Sequence, residues 1–203
     1  MREKIITSFC AAAFLGLTLF FFGPAHLYFT NSLEYSSSFS SLWAFFFIGS
    51  LLCILMLTIA LSCLSVTAHQ KAVSVTFALA LLLWFQGSIL VWDYGLLDGS
   101  DIDWSAKIAN GLIDGCIWLV LLFIAFFAAK RISGFARKAS IGFILIQLIS
   151  TLLVAYRAPD TSHLHENSQI DERAVFDFSP ERNVIVLLLD AFQGDYFNSI
   201  LQR

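Results

Sequence analysis

The stretch Arg182-Asn183-Val184-Ile185-Val186-Leu187-Leu188-Leu189-Asp190 decides how the chain is read. Six apolar residues in a row, half of them β-branched and bounded by charge on both sides, fit a strand buried on both faces, as in a parallel sheet. An amphipathic helix would show polar gaps. A carboxylate at the end of such a strand lies at the carboxyl edge of the sheet, where open α/β folds bind ligands and metals. From the residues alone, Asp190 is either a helix N-cap or a metal ligand, because a bare buried carboxylate is too costly.

Working outward, the rest of the chain reads as the device that holds this strand against a membrane. Of its 203 residues, 58% are hydrophobic and only 13% charged, with a mean hydropathy of +0.78. That is too apolar for a soluble domain and typical of a polytopic membrane protein. The net charge of -3 leaves no basic patch for nucleic acid.

Five apolar segments are expected to cross the bilayer: residues 5–22, 42–66, 72–92, 112–129 and 139–156. Each approaches the ~20 residues that a helix needs to span the hydrocarbon core with its backbone satisfied. The first follows a basic start, yet no convincing cleavage site succeeds it, so it reads as an uncleaved anchor. Arg2, Lys4, Lys71, Lys130, Arg131, Arg137 and Lys138 fall in alternate loops, against Lys107 alone in the intervening short ones. The positive-inside rule then makes the amino terminus cytoplasmic and the segment after residue 156 periplasmic or extracellular. The expected location is the cytoplasmic membrane. Cys10, Cys53, Cys63 and Cys116 all fall within spans and read as small packing residues.

The run from Asn183 through Asp190 to Ala191-Phe192-Gln193-Gly194-Asp195-Tyr196-Phe197 resembles the opening strand and first metal-ligand Asp of the sulfatase-like branch of the alkaline phosphatase superfamily. Its membrane-anchored members include lipoteichoic acid synthases and phosphoethanolamine transferases, which place several transmembrane helices before an extracytoplasmic catalytic domain. The fold class expected is therefore an α-helical polytopic membrane domain of five transmembrane helices (1–156), a linker (157–181), and the first β-strand of a truncated α/β sulfatase-like domain (182–203). The resemblance implies a hydrolase or headgroup transferase for a phosphate or sulfate ester, acting outside the cytoplasmic membrane on a lipid headgroup or glycan ester.

On that resemblance Asp190 is a metal ligand, and a divalent ion (Zn, Mn, Mg or Ca) is expected in the complete domain. The nucleophile and remaining ligands would lie further on. This 203-residue segment is thus expected to be the anchor and first strand of a larger enzyme, without catalytic activity of its own. Many relatives carry a second Asp, or a Glu, where this chain has Asp190 followed by Ala191, so sulfate and phosphate chemistry both stay open. The alternative is a non-enzymatic five-span membrane protein whose tail pairs with a partner.

Two further clusters carry residue types suited to a site. Trp92, Asp93, Asp98 and Asp103 lie between the third and fourth spans, where aromatic rings favour the headgroup level. They read as an interfacial anchor with a solvated acidic loop, or as part of a substrate groove beneath the catalytic domain. His163, His165 and Glu166 have metal-binding chemistry, but their polar flanks suggest a solvated linker.

Overall fold

The computed structural model describes residues 2–35, 37–93, 104–159 and 182. The expected strand at 184–189, with Asp190, lies outside the described residues, as do Asp98, Asp103 and the linker from residue 160 to 181. The described residues are nearly all helical.

Helix α1 (Arg2–Leu17) runs through a π-helical turn (Thr18–Phe22) into α2 (Gly23–Thr30). A 3₁₀ turn (Ser32–Glu34) leads to α3 (Phe39–Cys63), followed by α4 (Val66–Ser88), α5 (Trp104–Phe127) and α6 (Ala129–Arg157). Five helical stretches are long and apolar enough to cross a membrane: Arg2–Thr30, Phe39–Cys63, Val66–Ser88, Lys107–Phe127 and Ala129–Arg157. The chain thus has the make-up of a multi-pass membrane protein.

Two boundaries differ from those expected. The first helical stretch does not stop near Phe22 but continues through Gly23 and Pro24 to Thr30. Proline is tolerated at the start of a helical segment, where its missing N–H has no required partner. The π turn provides such a start, with the Gly23 N–H reaching back five residues to the Thr18 carbonyl. The second difference is at Lys130, Arg131, Arg137 and Lys138. They lie not in a loop but in the opening turns of α6, separated from α5 by Ala128 alone. Alanine, lysine and arginine are good helix formers, so the cluster simply continues the helix.

The bundle is organised around α1, which packs against α3, α4 and α6. Small side chains allow this: Ala11, Ala12, Ala13 and Gly16 are all buried. Membrane helices associate through close packing, which small residues permit. A Cβ placed on Gly16 would lie 2.9 Å from Ile54 Cγ1 and 3.3 Å from the Ser50 carbonyl. Phe14, fully buried, then fills the space toward α4 and α6, stacking on Phe143 with centroids 5.5 Å apart and tilting on Phe77 at 5.7 Å. Cys10 is buried and Cys53 half-buried, consistent with packing roles, whereas Cys63 and Cys116 are exposed.

Helices α1, α4 and α6 run parallel, and contacts near their amino termini gather the seven basic residues at one end. There Lys4 Nζ donates to the Leu64 carbonyl, Arg137 pairs with Glu3 at 2.7 Å, and Ser8 Oγ meets His69 Nε2 at 2.9 Å. Lys71 sits over the Phe126 ring, 4.2 Å from its centroid. The opposite end carries α2, the carboxyl-terminal halves of α4 and α6, and the exit of the chain at Arg157–Pro159.

Candidate functional site

A cleft of about 580 Å³ opens at this opposite end, between the π turn with α2, the last turns of α4, and the second half of α6. Its size falls within the range of small-molecule sites. The π turn produces its shape. One extra residue in the turn offsets α2 from the line of α1, and Thr18 is left facing α6.

Thr18 and Gln147 form the floor, at 7% and 3% exposure. Gln147 Nε2 donates to Thr18 Oγ1 at 2.9 Å, and that hydroxyl donates to the Phe14 carbonyl at 2.6 Å. Thr18 Oγ1 also lies 3.1 Å from Gln147 Oε1, so its one proton goes to the nearer Phe14 carbonyl while its lone pair accepts from Gln147 across the interface. Leu19, Phe22, Leu27, Leu83 and Val91 make the walls apolar. His26, Asn31, Ser88, Ser150 and Thr151 add polar groups. Thr30 donates to the His26 carbonyl at 2.8 Å, and Asn31 Nδ2 to the Leu27 carbonyl at 3.0 Å. No lysine or arginine is among the described residues that line the cleft.

On the other side of α4 lies a second polar group. Asp114 of α5 accepts from Trp92 Nε1 at 2.9 Å through one carboxylate oxygen and from Gln86 Nε2 at 2.9 Å through the other. Gln86 Nε2 also donates to the Leu90 carbonyl at 3.2 Å, and its amide oxygen accepts from Trp118 Nε1 at 3.1 Å. This network ties the amino-terminal half of α5 to α4. Further along, Ser74 Oγ donates to the Ala125 carbonyl at 2.7 Å and makes a second tie. Between them α5 relies on few buried contacts, only 6% of its apolar window being buried.

Of the residues singled out from sequence, Trp92 enters this network and half-buries its ring, though it is not part of the cleft lining. Asp93 is exposed, and its carbonyl accepts from Lys107 Nζ. Trp92 and Asp93 thus sit at the α4–α5 connection rather than in the cleft. Asp98, Asp103 and Asp190 lie outside the described residues. Among the described residues, no three His, Cys, Asp or Glu side chains come together to hold a metal.

The polar residues that sequence reading passed over are Thr18, Gln147, Gln86 and Asp114. The available signal was their occurrence within apolar spans, since polar and ionisable groups at membrane depth are rare and commonly functional. No protein-family model, curated protein or solved structure matches the chain.

Proposed function

We propose that the chain forms the membrane-embedded part of a metal-dependent phosphate- or sulfate-ester hydrolase or headgroup transferase, working at the outer face of the cytoplasmic membrane. The cleft receives the membrane-borne end of the substrate. The observation that carries this reading is the position of the cleft at the end where the chain leaves the bundle toward Asp190, opposite the seven basic residues. Under the positive-inside rule, the basic end is cytoplasmic and the cleft end external. A substrate held there would lie at the face of the bundle from which the chain continues past Pro159.

The described residues contribute binding and orientation. Apolar walls take an acyl or prenyl chain, and the polar groups fix the depth of the lipid in the cleft. Holding a substrate in place beside reacting groups lowers the barrier by removing translational and rotational freedom in advance. The divalent ion associated with Asp190 would supply Lewis-acid chemistry outside this part of the chain.

The test is an assay of the full gene product in native membranes, with fluorogenic phosphate and sulfate esters and a headgroup-labelled glycerophospholipid. The expected result is chelator-sensitive cleavage or transfer of at least one ester, abolished by Asp190→Ala with the protein still present at normal abundance. Activity unchanged by Asp190→Ala, or no difference between membranes with and without the protein, would remove the enzymatic reading and leave the tail as a partner-binding segment.

A further inference from the structure

The geometry points to an uncharged, hydroxyl-bearing lipid as the occupant of the cleft, such as a glycerol- or sugar-headed amphiphile. This inference rests on reading the cleft as a lipid site, and it assigns the cleft to the uncharged, hydroxyl-bearing partner in the ester chemistry, with the anionic ester itself outside the cleft. Three observations converge on it.

The first is a group of hydroxyls. Thr151, 8% exposed, and the half-buried Ser150 line the cleft from α6, and the exposed Ser88 lines it from the end of α4. Each hydroxyl both donates and accepts, and at membrane depth such groups are costly to leave without a polar neighbour. An occupant that carries hydroxyls of its own meets all three.

The second is the apolar wall. Leu19, Phe22 and Leu83 share the cleft with those hydroxyls, within the outer halves of membrane-spanning helices. Water alone would wet these side chains unfavourably, whereas a bare alkyl chain would leave the hydroxyls unmet. An amphiphile meets both requirements. Its chain lies along the apolar wall, and its hydroxyls exchange hydrogen bonds with Thr151, Ser150 and Ser88.

The third is charge. The described lining holds no lysine or arginine, and His26 is its one side chain able to carry positive charge, so a phosphate or carboxylate head would find no permanent cation to offset its desolvation. Serine and threonine hydroxyls, which both donate and accept, suit the hydroxyls of a polyol.

The test is photo-crosslinking of the full chain in phosphatidylcholine nanodiscs. The probe is a monoacylglycerol with a diazirine on its acyl chain, compared with the same chain as a methyl ester and as a lysophosphatidic acid. The monoacylglycerol is expected to label the peptides containing Leu19 and Leu83 about tenfold more than either comparator, the scale of one or two hydrogen bonds. Leu83→Trp, which fills the cleft, is expected to abolish that excess. Thr151→Val, which keeps shape and volume, is expected to lower labelling by roughly three- to tenfold. Equal labelling by the methyl ester would make the cleft an unspecific apolar slot, and stronger labelling by lysophosphatidic acid would make it an anion site. Either result overturns the inference, as does indifference to both substitutions. No catalysis enters the measurement, so loss of the ester reading would leave its outcome intact.

Discussion

Gln147 of α6 donates to Thr18 Oγ1 across 2.9 Å, at the residue where α1 gives way to the π turn. This contact joins the backbone irregularity that shapes the cleft to the helix that carries the chain out of the bundle. Gln147→Leu should destabilise the protein by about 1 kcal/mol, since interhelical hydrogen bonds in membranes average near 0.6 and reach about 2. Thr18→Val together with Gln147→Leu should cost less than the sum of the two single changes. Reversible unfolding in bicelles measures both, and strictly additive losses would mean that the two residues are not coupled.

The α1–α3 crossing depends on the missing side chain at Gly16. Gly16→Ala places a Cβ 2.9 Å from Ile54 Cγ1, and overpacking of this kind typically costs about 1–3 kcal/mol. Gly111→Ala on α5 is the control, because nothing lies within 4 Å of the added atom. It should be neutral or stabilise by up to about 1 kcal/mol through helix propensity. The same unfolding measurement should separate the two, and equal effects would contradict the packing described.

At Gly23 the constraint comes from the π turn itself. A Cβ there would approach the Thr18 carbonyl to 2.9 Å, and Thr18 is the residue whose carbonyl accepts the Gly23 N–H. Gly23→Ala should convert the turn toward ordinary α geometry. Removing one residue's offset rotates α2 by about 100° relative to α1. His26 and Thr30 would then leave the cleft. The expected readout is reduced monoacylglycerol crosslinking with helix content unchanged by circular dichroism, and full crosslinking would show that the π turn does not shape the site.

Asp114 holds α5 to α4 through two donors. Asp114→Leu leaves Trp92 Nε1 and one Gln86 N–H without their acceptor, at a cost of about 1–3 kcal/mol. Tryptophan emission should shift to the red as Trp92 loses its partner, and the shift should disappear in a Trp92→Phe background. A spectrum that does not change would show that Trp92 is held by other contacts.

How far the sequence disclosed this architecture depends on which force sets each feature. Span number follows from hydropathy, because a bilayer core demands about 20 apolar residues per crossing whatever the tertiary packing. Helix ends were harder to read. Gly23-Pro24 looks like a terminator, but the five-residue hydrogen bond from Gly23 to Thr18 carries the helix past it, and no local residue pattern announces that bond. The cleft was not legible for a related reason. Thr18 and Gln147 are 129 positions apart, and each looks like an isolated polar residue in an apolar run until packing brings them together. Trp92 was singled out for its place at the membrane interface, while its acceptor Asp114 was read only as part of an apolar span.

The central claim is that the cleft and the carboxyl-terminal segment face the outside of the cell. With Cys10, Cys53, Cys63 and Cys116 replaced by alanine, single cysteines at Ser88, beside the cleft, at Ser65, between α3 and α4, and at Gln202 can be probed in intact cells with a membrane-impermeant maleimide. The account predicts labelling at positions 88 and 202, and labelling at position 65 only after the membrane is permeabilised. Labelling of position 65 in intact cells, with 88 and 202 protected, would contradict it.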